Sequence, residues 1–247
     1  MSGHSKWHNI KLRKGKVDAQ RASLFTKLSK EIILAARSGS PDPEANYRLK
    51  MAVEKARESN MPQDNIKRAI ARGAGGTGEK EIEEIRYEGY GPGGVAVVVD
   101  AATDNRNRTA GELRFLFSKN DGNLGETGSV AWMFDPVGVV IVDPAGRSED
   151  AMTEAALVDG VIDLDYGEAT EIYTEPSSLA EVREALRSAG LKISGFHLGV
   201  RAKQKASPQG AELNAALAFL EALEDHEDVQ RVFSNLEVSE AALEALA

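Results

Sequence analysis

Four histidines, His4, His8, His197 and His226, and the absence of cysteine bound the chemistry open to this 247-residue chain. Without thiols there are no disulfides, zinc ribbons, thiolate nucleophiles or iron–sulfur clusters. His4 and His8 are spaced i, i+4 and would ligate a metal from a helix. Gly3 argues against that helix, and the surrounding cations repel a further cation. His197 falls within a strand pattern and His226 within an acidic loop, where packing or surface roles are simpler than a general base. Neither GxSxG nor HExxH occurs. Asp100, Asp104, Asp121 and Glu126 lie near predicted strand and helix ends and are the carboxylate set that could hold the ions of a two-metal nuclease. The plainer reading makes Asp104 a helix cap and Asp121-Gly122 a turn. The expectation is a protein without catalysis, resident metal or cofactor.

Groups that bind anions give a stronger signal. Residues 1–72 carry 16 Lys and Arg against 7 Asp and Glu, a net +9, whereas the remaining residues carry 14 against 32, a net −18. The overall charge of −9 describes neither part. A chain divided in this way has a basic end that seeks anions and an acidic body that avoids them. Within the first 16 residues, Lys6, Lys11, Arg13, Lys14 and Lys16 can neutralise phosphates and release counterions. Trp7, between Lys6 and His8, offers a face on which an unpaired base could stack, or it folds back onto neighbouring helices. Thr103-Asp-Asn-Arg-Asn-Arg-Thr109 places Arg106 and Arg108 near a helix start, either as an anion site or as a capped helix with solvated arginines.

The elements that would carry these groups follow from periodicity. Residues 1–16 have too few apolar side chains to bury and read as an exposed arm. Beyond them Leu24, Phe25, Leu28, Ile32, Ala35 and Ala36 share one helical face, with Lys27, Lys30 and Arg37 opposite. Leu49, Ala52, Val53 and Ala56 mark a second helix. A third opens near Pro62, with Ile66 and Ile70 inward and Lys67, Arg68 and Arg72 toward solvent. Gly73 to Gly78 spells GxGxxG, but a helix precedes it and a run of glutamates follows it. That context contradicts a dinucleotide site and predicts a flexible linker.

Further on, strands are predicted at 85–88, 95–100, 130–134, 137–142, 161–164, 170–174, 192–200 and 229–236. Helices are predicted at 106–120, 149–157, 179–188 and about 209–223. The order within 137–200 is β-α-β-β-α-β, a ferredoxin-like unit. The predicted fold class is α+β with three domains. A basic helical N-terminal bundle is followed by two α/β (ferredoxin-like) domains, one inserted in the other. The arm covers 1–16, the helical domain and Gly-rich linker 17–78, a discontinuous α/β domain 79–136 plus 204–247, and the insert 137–203. No apolar run approaches the ~20 residues of a membrane helix, and no secretory signal opens the chain. A cytoplasmic protein away from membranes is expected.

Several of these stretches, taken in order, resemble the YebC/PmpR family. They are Gly3-His-Ser-Lys-Trp7 with Ile10-Lys11, Asn60-Met-Pro-Gln-Asp-Asn-Ile66, Tyr87-Glu-Gly-Tyr-Gly-Pro-Gly-Gly94, Thr103–Thr109 and Gly128-Ser-Val130. Gln63 stands where many relatives have Lys. The resemblance implies a three-domain protein with no catalytic residues, of a kind described as DNA-binding transcriptional regulators. Others are similar to the mitochondrial translational activator of cytochrome oxidase subunit I, or are linked to ribosomes translating proline-rich stretches. The expected partner is nucleic acid, DNA or ribosomal RNA, with the ribosome itself as an alternative and a monomer as the expected state. The residues expected to bind it are Lys6, Trp7, His8, Lys11, Arg13, Lys14, Lys16, Lys27, Lys30, Arg37, Lys67, Arg68, Arg72, Arg106 and Arg108.

Overall fold

The computed structural model describes residues 17–76, 78–167 and 169–238, with side chains from residue 22 onward. Three helices come first: α1 (Val17–Arg37), α2 (Tyr47–Glu58) and α3 (Gln63–Gly73). Asn46 fixes the first turn between them. Its side-chain oxygen accepts from Leu49 N (3.1 Å) to cap α2, while its Nδ2 donates to Ala35 O and Ser40 O (both 2.8 Å). Leu28, Ile32, Leu49, Ala52, Val53, Ala56, Ile66 and Ala69 form the bundle core. The expected single inward face of α1 is too narrow a description. Residues Ile32 to Ala36 are all buried, because Ile82 and Ala102 of the body close over them, whereas Leu24 in the first half stays 41% exposed. The expected glycine linker also begins later than predicted. Gly73 is the buried last residue of α3, and a Cβ there would meet Ile33 O at 2.5 Å, so the glycine lets α3 lie directly on α1.

The body contains two antiparallel sheets of four strands. In the first, β1 (Glu83–Tyr90), β2 (Ala96–Thr103), β3 (Asn123–Leu124) and β8 (Val229–Ser234) lie in the order β3-β1-β2-β8. Helices α4 (Arg106–Lys119) and α7 (Gly210–Asp225) cover one face. Phe117 of α4 meets Phe219 of α7 edge-to-face, with centroids 4.8 Å apart. Each aromatic fully buried in this way contributes roughly 1.5–3 kcal/mol. Ala96 and Val98 on the other face of β2 pack with Val130, Phe134, Val200 and Ala202, so β2 is covered on both sides.

The second sheet is built from β4 (Phe134–Asp143), β5 (Val161–Asp165), β6 (Thr170–Thr174) and β7 (Lys192–Ala202), in the order β5-β6-β4-β7. With α5 (Glu149–Ala155) and α6 (Leu179–Ser188) over Val140, Val142 and Ile172, this is the ferredoxin-like arrangement. It interrupts the first sheet, whose last strand β8 returns after it. The α+β, three-domain fold class is therefore the observed one. Among the described residues, no helix is long and apolar enough to cross a membrane.

The strand predicted at 130–134 is instead a turn of 3-10 helix at Ala131–Met133, and β4 starts at Phe134. The cause is the carboxylate of Glu88. It accepts hydrogen bonds from the backbone N–H groups of Gly128 (2.9 Å), Val130 (2.9 Å) and Ala131 (2.8 Å), which are then lost to any strand ladder. Burial alone would raise the Glu88 carboxyl, yet the three amides and Arg86 hold it below its ordinary value. Two sequence motifs, Tyr87–Gly94 and Gly128–Val130, thus meet in one hydrogen-bonded knot. Replacing Glu88 by Gln puts an amide N–H among three N–H donors. It is expected to cost about 1–3 kcal/mol of stability, read from the urea midpoint.

Candidate nucleic-acid interface

The turn between α7 and β8 places Asp228 between the bundle and the body. Val229 N donates to His226 O (3.1 Å), and Asp228 N donates to His226 Nδ1 (3.1 Å), so the backbone itself aims the carboxylate inward. Its side chain is fully buried. Lys30 of α1 pairs with Asp228 Oδ1 and also donates to Glu227 O (3.1 Å). Arg108 of α4 lies 2.9 Å from Oδ2, and the Thr109 hydroxyl donates to the same oxygen at 2.6 Å. Thr103 lies 2.8 Å from the Thr109 hydroxyl and accepts from Asn105 N at 2.9 Å. Burial pushes the Asp228 carboxyl up. The hydrogen bonds from Lys30, Thr109 and Arg108, with the Lys30 charge, prevail and hold it at about 2.

Three of the cations expected at the nucleic-acid interface are engaged at this junction. Lys30 is buried because its partner comes from the body, 198 residues away in sequence. Lys27 donates to Glu224 O, one of the carbonyls left without a helical partner at the end of α7. Arg108 is held by Asp228, with Asp104 at 3.4 Å and Glu112 at 4.0 Å. Of the segment 103–109, Arg108 and Thr109 reach the protein's own Asp228, whereas Arg106 faces Glu83. The cap of α4 is Asn105, which accepts from Arg108 N at 3.2 Å, and not Asp104.

The remaining basic positions divide by what faces them. Arg37 lies 3.5 Å from Glu81. Arg72, expected toward solvent, is partly buried, pairs with Glu79 (2.9 Å) and donates to Lys80 O (2.9 Å). Arg106 is mostly exposed, with Glu83 at 3.9 Å. Lys67 and Arg68 stand exposed on the face of α3 opposite Ile66, Ala69 and Gly73, and make no ion pair among the described residues. Lys6, Trp7, His8, Lys11, Arg13, Lys14 and Lys16 lie outside the described residues. Arg57, Arg114 and Lys119, outside the expected set, are also exposed without an ion pair among the described residues. Their signal in the sequence is their place on the polar faces of α2 and α4.

The carboxylates proposed for metal do not converge. Asp100 is bound by Arg86 through two contacts (2.7 and 3.0 Å), Asp104 faces Arg108, and Asp121 sits in a turn at φ 55°. Among the described residues only Glu112, His226 and Asp228 approach one another closely enough to share an ion, and Asp228 is already occupied by Lys30 and Arg108. His226 Nε2 lies 3.0 Å from Glu112. His197 sits on β7. Burial, followed by the charges of Arg231 and Lys55, drives its pKa well below the ordinary histidine value.

A cleft of about 1380 Å³ opens between the bundle and the two sheets. The charges on its walls are largely matched, Arg48 with Glu84, Lys55 with Glu31, Arg86 with Asp100 and Arg201 with Asp163. At its far side Arg183 of α6 stacks on Tyr47 of α2 (4.1 Å) and on Phe196 of β7 (4.8 Å), a further point that holds the bundle to the body.

Residues 5–76 match the family model for the TACO1/YebC protein N-terminal domain, and residues 82–236 that for the TACO1/YebC second and third domain. The chain belongs to the TACO1/YebC family. A family relative from Herpetosiphon aurantiacus, named "Probable transcriptional regulatory protein", is 50% identical over all of this chain and 99% of its own. One of the same name from Pelotomaculum thermopropionicum is 48% identical over 97% of this chain and all of its own. The crystal structure of a conserved hypothetical protein from Aquifex aeolicus superposes with a TM-score of 0.83 at 44% identity, covering 92% of this chain and 94% of that one.

The Asp228 junction predicts a specific acid response. Its folded pKa lies below the unfolded value of 3.8, so its contribution is present above about pH 4 and lost as pH falls through about 2. The segment amounts to about 2 kcal/mol, visible as a falling urea midpoint over that window. In Asp228→Asn the Asp228 part of that slope should vanish, and the protein should lose about 3–5 kcal/mol at neutral pH because Lys30 is left buried without a counter-charge.

Proposed function

We infer that the protein is a non-enzymatic regulator of gene expression that binds nucleic acid through the outward side of its helical bundle and the basic residues before it. The observation that carries this reading is the division of the bundle's cations. Those turned toward the body are neutralised by Asp228, Glu81 and Glu79, whereas Arg57, Lys67 and Arg68 are left to solvent. Lys6, Lys11, Arg13, Lys14 and Lys16 precede α1 in sequence and add five positive charges with no carboxylate among them. A polyanion would be drawn to this end. The relatives' name, "Probable transcriptional regulatory protein", supports a regulator of gene expression, and duplex DNA is the target proposed here. The cytoplasm is the compartment proposed for it.

A second reading, an RNA-binding factor acting in translation on the ribosome, is favoured by one feature. Phe115 is 64% exposed beside Arg114 and Lys119, which make no ion pair among the described residues, and a regular duplex does not present free base faces to such a ring. Both readings place Lys67 and Arg68 against phosphates. The double variant Lys67→Glu, Arg68→Glu should weaken binding to a 30-base-pair DNA or a structured RNA by about tenfold or more. It should also flatten the plot of log affinity against log salt by about 2. Fluorescence anisotropy at four salt concentrations reads both quantities. An unchanged slope would remove the α3 face from the interface. A promoter duplex preferred over scrambled DNA by about 10³-fold would identify the transcriptional reading, and salt-sensitive co-sedimentation with ribosomes the translational one.

A further inference from the structure

Helix α4 contains a residue that its own packing does not explain. Gly111 stands in the helix interior, where glycine is among the least favourable residues, yet a Cβ there would meet nothing within 4 Å. The contrast with Gly73 is direct, since Gly73 is required by the contact of α3 with α1. Gly111 instead forms part of the wall of an open hollow of about 490 Å³, together with Glu112, Phe115, Leu116, His226 and Glu227. Phe115, one helical turn along, presents its ring to this space and is 64% exposed. Arg114 lies beside it and Lys119 one turn beyond, both exposed and without an ion pair among the described residues. An apolar ring, a missing side chain next to it and flanking cations are the parts needed to seat a flat, hydrogen-bonding group attached to an anionic chain.

We propose that this hollow seats one unpaired nucleobase of a single-stranded nucleic acid, stacked on Phe115, with the adjoining phosphates against Arg114 and Lys119. Gly111 leaves the space the base occupies. Glu112 and Glu227 on the rim accept from the amino or imino groups at the base edge, and their charge keeps phosphates on the arginine and lysine side. The site extends the nucleic-acid-binding reading given above and rests on it, but it lies on the body, apart from the α3 face.

The test uses the full chain with labelled 12-nucleotide single strands, RNA and DNA of one mixed sequence, and a 30-base-pair duplex as reference. Phe115→Ala should weaken binding of the single strands by about tenfold, within the range for loss of one stacked base, and Phe115→Trp should restore it. Gly111→Ala should also weaken single-strand binding while raising the thermal midpoint, two opposite signs that a merely structural glycine would not give. Neither variant should alter duplex binding, which Lys67→Glu, Arg68→Glu weakens. RNA and DNA strands affected alike would mean that the base and phosphates are read, and an effect on RNA alone would add the 2′-hydroxyl; either supports the site. Parental single-strand affinity in both Phe115→Ala and Gly111→Ala overturns it, and if duplex binding still responds to the α3 variant, the broader reading stands without this site.

Discussion

A carboxylate removed from water costs several kcal/mol unless its surroundings replace the lost hydration. Asp228 is the residue at which this protein meets that requirement, and the rest of the structure is arranged around the solution. Lys30 comes from the bundle, Arg108 and Thr109 from α4, and the carboxylate itself from the turn before β8. None of these elements satisfies the charge alone. The bundle therefore sits where Lys30 reaches the body, and α4 starts where Thr103 and Asn105 can order its first turn. Apolar contact between the parts runs through Ile82 and Ala102 against the bundle core. The buried ion group selects one orientation among those that apolar contact would tolerate.

The same arrangement sorts the charges of the molecule. On the inner side of the bundle Lys27, Lys30 and Arg48 meet a carboxylate or helix-end carbonyl of the body, and Lys55 meets Glu31 of α1. Among the described residues of the bundle, Arg57, Lys67 and Arg68 are the exposed cations left without an ion pair. Around the central cleft four opposite pairs face one another, Arg48 with Glu84, Lys55 with Glu31, Arg86 with Asp100 and Arg201 with Asp163, so these cations are already engaged.

Local patterns carried much of this into the sequence. The order of strands and helices, the ferredoxin-like succession and the basic end can be read because each depends on residues close together in the chain. What could not be read depends on partners far apart. Lys30 looks solvent-facing by periodicity, and only Asp228, 198 residues later, makes it a buried residue. Arg108 and its neighbours have the composition of an anion site, but composition does not say whose anion fills it. Residues 130–134 have the apolar character of a strand, and Glu88 of β1 diverts their amides. Phe115 and Gly111 lie on the side of α4 that a search for core positions ignores.

The interruption of the first sheet also orders events during synthesis. β2 pairs with β8, and the whole of the second sheet is encoded between them. At ordinary elongation rates roughly 10 s separates the emergence of the two strands. The inserted unit is contiguous and can complete itself in that interval, while β2 waits with an unpaired edge and Lys30 waits for its counter-charge. β2 reads Ala-Val-Val-Val-Asp-Ala-Ala-Thr, an apolar strand whose one charge is Asp100. With Arg86 bound across to it from β1, Asp100 keeps a charged pair on the strand that is longest without its neighbour, the device that discourages such edges from pairing with another nascent chain.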